Sequence, residues 1–234
     1  MKIIKFDTIP STNLYLKENY QVLDNLTVVC AKHQTKGRGR LGRTWIDNND
    51  LLFSILIKEN LDRPSDYSFL IASTILKILK ELNPLVKWPN DIIINNKKVA
   101  GILLEAVTVE NILCVIIGVG INTNSKEFSD ELVFKANSLS NILNKNIDND
   151  FILEKIMLQF ENDYYEYVNG NNNYKNIIVD NFYLQGKEIT FNYDNKVHFG
   201  KVIGMNKENE LLVEIDKEIK AIKSGEVTLT NNYK

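Results

Sequence analysis

The sequence predicts an α+β fold: a mixed, mostly antiparallel sheet covered by helices, followed by a small C-terminal β-barrel. Three observations carry that prediction. Between Val86 and Val119 four strand-like runs follow one another, joined by connections too short for crossover helices. Two long stretches, one opening at Pro64-Ser65-Asp66 and one running from Asp150 to Val168, space their apolar residues close to a helical period. From Gln185-Gly186 onward the pattern changes to short alternating runs separated by turn residues.

Taken in order, Lys2 to Asp7 reads as a short strand. Pro10-Ser11-Thr12 opens a helix carrying Leu14, Tyr15 and Leu16, with Ser11 as its N-cap. Leu26 to Ala31 is an apolar run typical of a buried strand, and Leu51 to Lys58 is another. The helix from Pro64 places Phe69, Leu70, Ser73, Leu76, Ile78 and Leu79 toward a core and ends near Asn83-Pro84. Val86 to Trp88, Asp91 to Ile94, Val99 to Val109 and Ile112 to Val119 are successive strands. Asn95-Asn96 marks a hairpin turn, since asparagine accepts positive φ. The second long helix carries Ile152, Ile156, Leu158, Phe160 and Tyr164 to Tyr167, and the asparagine tract from Asn169 to Asn173 reads as loop. Beyond it, Ile189 to Tyr193, Val197 to Ile203, Leu211 to Ile215, Ala221 to Ile222 and Val227 to Leu229 form either a separate small barrel or an extension of the main sheet.

At 234 residues the chain has room for one medium unit plus a small one. An apolar fraction of 44% and a charged fraction of 25% are those of an ordinary globular protein. The net charge of -2 argues against a protein built mainly to bind nucleic acid. Cys30 and Cys114 lie in apolar runs and make no disulfide framework, and neither His33 nor His198 belongs to a cluster with metal-site spacing. The N-terminus lacks a signal-peptide pattern and no stretch is long and apolar enough to span a membrane, so a reduced, cytoplasmic protein is expected.

The segment Gly37-Arg38-Gly39-Arg40-Leu41-Gly42-Arg43-Thr44-Trp45 says most about chemistry. Glycine lets backbone approach a ligand, guanidinium forks match carboxylate and phosphate oxygens, and tryptophan offers a stacking face. Alone, such a loop also fits a mobile surface segment or an Arg-Gly RNA-binding tail. Its company narrows the reading: Ser11-Thr12-Asn13 upstream, then Lys87-Trp88-Pro89-Asn90-Asp91, Lys98-Val99-Ala100-Gly101-Ile102-Leu103-Leu104-Glu105 and Gly118-Val119-Gly120-Ile121-Asn122. In that order and at those separations the set resembles the biotin protein ligase family. The resemblance runs from Phe6 to Asn122, carried by several motifs agreeing in sequence, and continues more weakly to the C-terminus.

The resemblance implies the class II aminoacyl-tRNA synthetase/biotin ligase-like fold over residues 1–185 and a C-terminal SH3-like β domain over 186–234. It implies a ligase that uses ATP and Mg²⁺ to convert biotin to biotinoyl-AMP and passes the acyl group to a lysine of a biotin carboxyl carrier domain. Arg38 and Arg40 match the loop arginines that hold the biotin carboxylate and adenylate phosphate, with Gly39 allowing close approach. Ser11, Thr12, Asn13 and Gln34 match residues at the ureido end of biotin, and Gly101, Leu103, Gly118 and Ile121 match its pocket wall. Lys98 matches the lysine beside the carboxylate, Lys87 one placed for nucleotide phosphates, and Arg43, Trp45 and Asn122 further nucleotide contacts. Asn90 and Asp91 either help bind nucleotide and Mg²⁺ or orient the incoming amine. Arg40, Lys98, Lys87 and Asp91 are the catalytic candidates.

Simpler readings stand beside several of these. Ser11-Thr12-Asn13 also suits a plain helix cap, Gly118 and Gly120 suit bulges or turns, and Lys87 and Lys98 suit surface charges. Trp88, just before Pro89, reads as core, Glu105 as the partner of a base on the sheet, and His33 has no assigned role. Leu41 and Thr44 stand where many relatives carry a further basic residue. Met1 precedes Ser11 by only ten residues, so the N-terminal winged helix of bifunctional relatives has no room and no DNA binding is expected. A homodimer through an edge of the main sheet is implied by resemblance alone. Lipoate ligation is the near alternative, an RNA-binding module the alternative of a different class, and a catalytically dead biotin sensor is disfavoured by the intact lysines and arginines.

Overall fold

All seven residues of the strand Leu51–Ile57 are buried, which places it in the interior of a sheet with both faces covered. The structure, a computed structural model, describes residues 1–46, 48–108, 111–193, 196–224 and 228–229. Seven strands form the main sheet: β1 (Ile3–Ile9), β2 (Val28–Gln34), β3 (Leu51–Ile57), β4 (Leu85–Lys87), β5 (Asp91–Ile94), β6 (Lys97–Thr108) and β7 (Ile112–Ile121). Their spatial order is β1-β2-β3-β7-β6-β5-β4. Only β1 and β2 run parallel, joined across one face by helix α1 (Thr12–Asn19); every other pairing is antiparallel. The expected mixed, mostly antiparallel sheet is therefore present. The Asn95-Asn96 turn between β5 and β6 has φ of 51° and 60°, the left-handed pair a two-residue hairpin needs.

The two faces differ. One is covered by α2 (Asp66–Ile78), α4 (Asn149–Val168) and α5 (Asn173–Asp180), and there Phe53, Ile55, Val119 and Ile121 join Tyr67, Ile75, Ile156 and Phe160 in the principal core. Trp88 lies in this core, 1% exposed. Among the described residues the other face carries one helix, α1, whose Leu16 packs on Val29, Leu56, Cys114 and Ile116. The remainder of that face is the floor of the site described below. Ser11 caps α1, its hydroxyl accepting from Leu14 N, and Asp148 caps α4 by accepting from Phe151 N at 3.1 Å.

Three details depart from the sequence reading. Leu26 is not in a strand: it takes φ of 61° at the turn and β2 begins at Val28. The asparagine tract ends by entering α5, and α3 (Leu139–Leu143) precedes α4; neither helix has enough turns for a period to stand out in sequence. The C-terminal strands β8 (Glu188–Tyr193), β9 (Lys196–Met205), β10 (Leu211–Ile215), β11 (Glu218–Ile222) and β12 (Thr228–Leu229) form a second antiparallel sheet of order β11-β10-β9-β8-β12, not an extension of the first. Val109 and Val227, placed at strand ends by sequence, lie outside the described residues. Among the described residues no helix is long and apolar enough to cross a membrane.

Candidate functional site

Strand register assembles the floor. On the α1 face, Lys87 of β4 pairs with Asp91 of β5, Asp91 with Gly101 of β6, Gly101 with Gly120 of β7, and Gly120 with Leu52 of β3. The adjacent row runs Leu103, Gly118, Ser54, Val29. Gly118 and Gly120 sit in regular register, so they are neither bulge nor turn residues. Their bare α-carbons are occupied from above. A β-carbon on Gly120 would come within 2.5 Å of the Trp45 ring, and one on Gly101 within 2.8 Å of it. A β-carbon on Gly118 would collide with the Asn13 carboxamide.

At one end of this floor the N-terminus of α1 makes a buried polar network. Thr12 N and Oγ1 donate to Gln34 Oε1 at 2.7 and 3.0 Å. The fully buried Ser54 hydroxyl lies 2.7 Å from Thr12 Oγ1 and 2.6 Å from Asn13 Oδ1, with one proton to share between them. Asn13 Nδ2 donates to Glu105 Oε2 at 2.7 Å. Glu105, expected to pair with a base, accepts from this amide instead, because strand register places it one row beyond Gly118 on the face that α1 covers. Ser11, Thr12 and Asn13 are all buried, and Ser11's hydroxyl is the helix cap.

The opposite end is cationic. Simple alternation would send the Lys98 side chain into the core beside Ala100 and Ile102. A bulge against β5 puts Val99 and Ala100 in succession on the core side and so brings Lys98 onto the site face. Lys98 Nζ lies 2.7 Å from Asp91 Oδ1, an ion pair outside hydrogen-bond alignment, and 5.4 Å from the centroid of a Trp45 ring. The strand segment is pinned by Lys98 N donating to Lys135 O and Asn137 N to Lys98 O. Burial lowers the Lys87 pKa below the ordinary lysine value, against the opposing pull of Asp91, and Lys98 adds to the lowering.

The glycine-arginine segment folds as a tight hairpin over this end. Gly39 N donates to Arg43 O at 2.7 Å and Trp45 N to Gly37 O at 3.1 Å, while Leu41 and Gly42 turn through φ of 55° and 73°. Gly37 is required there, since a β-carbon would come within 2.5 Å of Trp45 O. Arg40 reaches inward: Nη1 donates to Asn90 Oδ1 at 3.1 Å and Nη2 to Ser224 O at 2.6 Å. Asn90 in turn donates from Nδ2 to Ile102 O at 2.9 Å. Arg38 and Arg43 stand on the exposed side of the hairpin.

The structure thus brings together Thr12, Asn13, Gln34, Gly101, Leu103 and Gly118 with Lys87, Asn90, Asp91, Lys98, Gly39, Arg40 and Trp45. Arg38 and Arg43, expected on the ligand, stand instead on the exposed side of the hairpin, and two further expected residues are placed otherwise. The Ile121 side chain is fully buried in the core on the far side of the sheet, one residue out of phase with Gly118 and Gly120. Asn122 is buried, and its Nδ2 donates to Asn137 O at 3.1 Å, bracing the segment that pins Lys98. Sequence reading missed Ser54, whose signal was a single hydroxyl inside an otherwise apolar strand, and Gly120 as floor. Among the described residues Asp91 is the one carboxylate at the cationic end, and they hold no group of three or more His, Cys, Asp or Glu able to bind a metal ion.

A sheet face with a carboxamide-hydroxyl network at one end and Lys98, Lys87 and Arg40 at the other suits an acid whose opposite end hydrogen-bonds. A family model for the biotin/lipoate A/B protein ligase family matches residues 4–122. The chain belongs to this family. The matched segment spans β1 to β7 and so contains every residue of the floor, both lysines and the whole hairpin. Over 214 residues the chain is 33% identical to the bifunctional ligase/repressor BirA of Bacillus subtilis, covering 87% of this chain and 66% of that protein. Against BirA of Escherichia coli it is 27% identical over 242 residues, covering 97% of this chain and 73% of that one. The biotin protein ligase from Aquifex aeolicus, solved in complex with biotin and ATP, superposes with a TM-score of 0.87 at 28% identity over 99% of each chain. As a member of the biotin/lipoate ligase family, the chain carries its second sheet outside the matched segment.

Proposed function

We propose that this chain is an ATP-dependent biotin–protein ligase. The observation that carries the reading is the continuous row on one sheet face from the Gln34-Thr12-Ser54-Asn13-Glu105 network, across Gly118, Gly120 and Gly101, to Lys98, Lys87 and Arg40. In this reading the amides and hydroxyls take the ureido ring, the Trp45 ring moves off Gly120 and Gly101 to admit the ligand, and Lys98 receives the carboxylate. A carboxylate oxygen attacks the α-phosphorus of ATP, the bond to the β-phosphate oxygen breaks, and pyrophosphate leaves. Lys98, Lys87 and Arg40 offset the repulsion between two anions brought into line.

The acyl-adenylate is then held under the hairpin, with Trp45 beside adenine and Arg40 on the phosphate, sheltered from water. A carrier-domain lysine, deprotonated, attacks the acyl carbon; the amide forms and AMP departs. Asp91, close to Lys98, is the carboxylate placed to accept that amine's proton. Among the described residues Asp91 is the carboxylate at this end, so Mg²⁺ would be held by Asp91 together with the triphosphate that carries it. Residues 1–185 form the catalytic unit in this reading and 186–234 an SH3-like domain, supported by the five-stranded antiparallel ladder.

Incubation with ATP and either biotin or lipoate, read by mass spectrometry, tests the assignment. Biotinoyl-AMP and pyrophosphate are expected, with transfer to a biotin carrier domain. Lipoyl-AMP as the main product would overturn it.

A further inference from the structure

The second sheet shares a hydrophobic core with the catalytic unit, and among the described residues two of its polar contacts converge on the site. The first is the β9–β10 turn. Asn209 there takes φ of 64° and is buried; its carbonyl accepts from Trp88 Nε1 at 3.0 Å and its Nδ2 donates to Asp66 Oδ1 at 2.6 Å. Asp66 is 1% exposed, and its other oxygen is held by Arg63 Nε and Tyr167 OH, each at 3.2 Å. The neighbouring Lys207 carbonyl accepts from Arg63 Nη2 and Lys175 Nζ. The second place is the Ser224 carbonyl just beyond β11, which accepts from Arg40 Nη2 while Arg40 Nη1 holds Asn90. Trp88 precedes Asn90 by two residues, so both contacts bear on one strand end.

We infer that Asn209 is a positioning residue for the adenylate site: it fixes the second sheet against Trp88 and Asp66, and so sets the Ser224 carbonyl that orients Arg40. The inference rests on the ligase reading and deepens it. A guanidinium has five N–H donors. Among the described residues two are spent on Ser224 and Asn90, so Nε–H and one proton on each Nη are the donors this reading assigns to an anion. Arg40 is thereby ordered before ligand arrives, which removes part of the ordering cost from binding. A backbone carbonyl supplies the contact, so side-chain replacement at Ser224 would leave it in place.

The test uses the full chain as wild type, Asn209→Ala, Arg40→Ala and the double variant. Amide hydrogen exchange is followed at Gly39, Arg43 and Trp45, which are bonded within the hairpin, and at Thr12, bonded to Gln34. Asn209→Ala is expected to speed hairpin exchange roughly tenfold while Thr12 is unchanged. Release of labelled biotinoyl-AMP should also quicken roughly tenfold, with the double variant no faster than Arg40→Ala alone, because both changes act through one guanidinium. Unchanged hairpin exchange, or losses that multiply in the double variant, would overturn the inference. If wild type forms no adenylate, the ligase reading fails and hairpin exchange alone decides the positioning role. Should Asn209→Ala fail to fold, Asn209→Gly keeps the left-handed turn and the carbonyl to Trp88. It removes only the Asp66 bond, and an intermediate hairpin exchange rate is expected; a wild-type rate counts against the inference.

Discussion

The Trp45 ring rests on the bare α-carbon of Gly120, where an added β-carbon would come within 2.5 Å of it. Gly101, paired with Gly120 on the neighbouring strand, supports the same ring. Trp45 is half-buried at the edge of a hairpin, whereas the glycines belong to the sheet. Gly120→Ala is therefore expected to lift the indole at a stability change within about 1 kcal/mol, while adenylate affinity falls roughly tenfold. Trp88, 1% exposed in the core, gives a constant background, so a red-shifted emission reports Trp45 alone. Unaltered emission and affinity would show that the ring does not depend on this floor.

Ser54 is fully buried, and its hydroxyl holds both Thr12 and Asn13. Ser54→Ala leaves buried acceptors unsatisfied and should cost about 1–3 kcal/mol in urea denaturation. Biotin affinity, measured calorimetrically without nucleotide, should fall alongside. Loss of stability with intact biotin affinity would make the network purely structural.

How much of this was legible in the sequence follows from what each residue contributes. Gly118 and Gly120 are visible as glycines, and their alternation already assigns Ile121 to the other face. That parity runs against the pocket-wall role that the family resemblance implies for Ile121. Lys98 is the opposite case: alternation alone would bury it with Ala100 and Ile102, and only the bulge at Val99 brings it to Asp91. Nothing in side-chain chemistry announces that bulge. Asn13 over Gly118 depends on α1 docking on β7, a long-range contact that local pattern does not encode. Ser224 acts through its carbonyl, so its identity carries no information at all.

The alkaline behaviour of Lys87 offers a separate check. Burial, chiefly, lowers its pKa below the ordinary 10.5, with Asp91 opposing and Lys98 reinforcing. The folded state thus binds this proton less tightly than the unfolded chain. The buried charge costs stability below the folded pKa, and that cost fades as pH rises from there toward 10.5. The functional charge is lost over the same window. KM for ATP in biotin-dependent pyrophosphate exchange is expected to climb on the alkaline side earlier than an ordinary lysine would allow. Lys87→Arg, whose charge persists, should remove that limb. An identical alkaline limb in both proteins would exclude Lys87 as its source.

The most direct measurement is the lifetime of bound biotinoyl-AMP in wild type and Arg40→Ala, followed with labelled biotin after a single round of activation. If the hairpin guanidinium retains the intermediate, wild type should hold it long enough to deliver it to a carrier lysine, and the variant should lose it to solution at least roughly tenfold faster. Equal lifetimes in the two proteins would contradict the account.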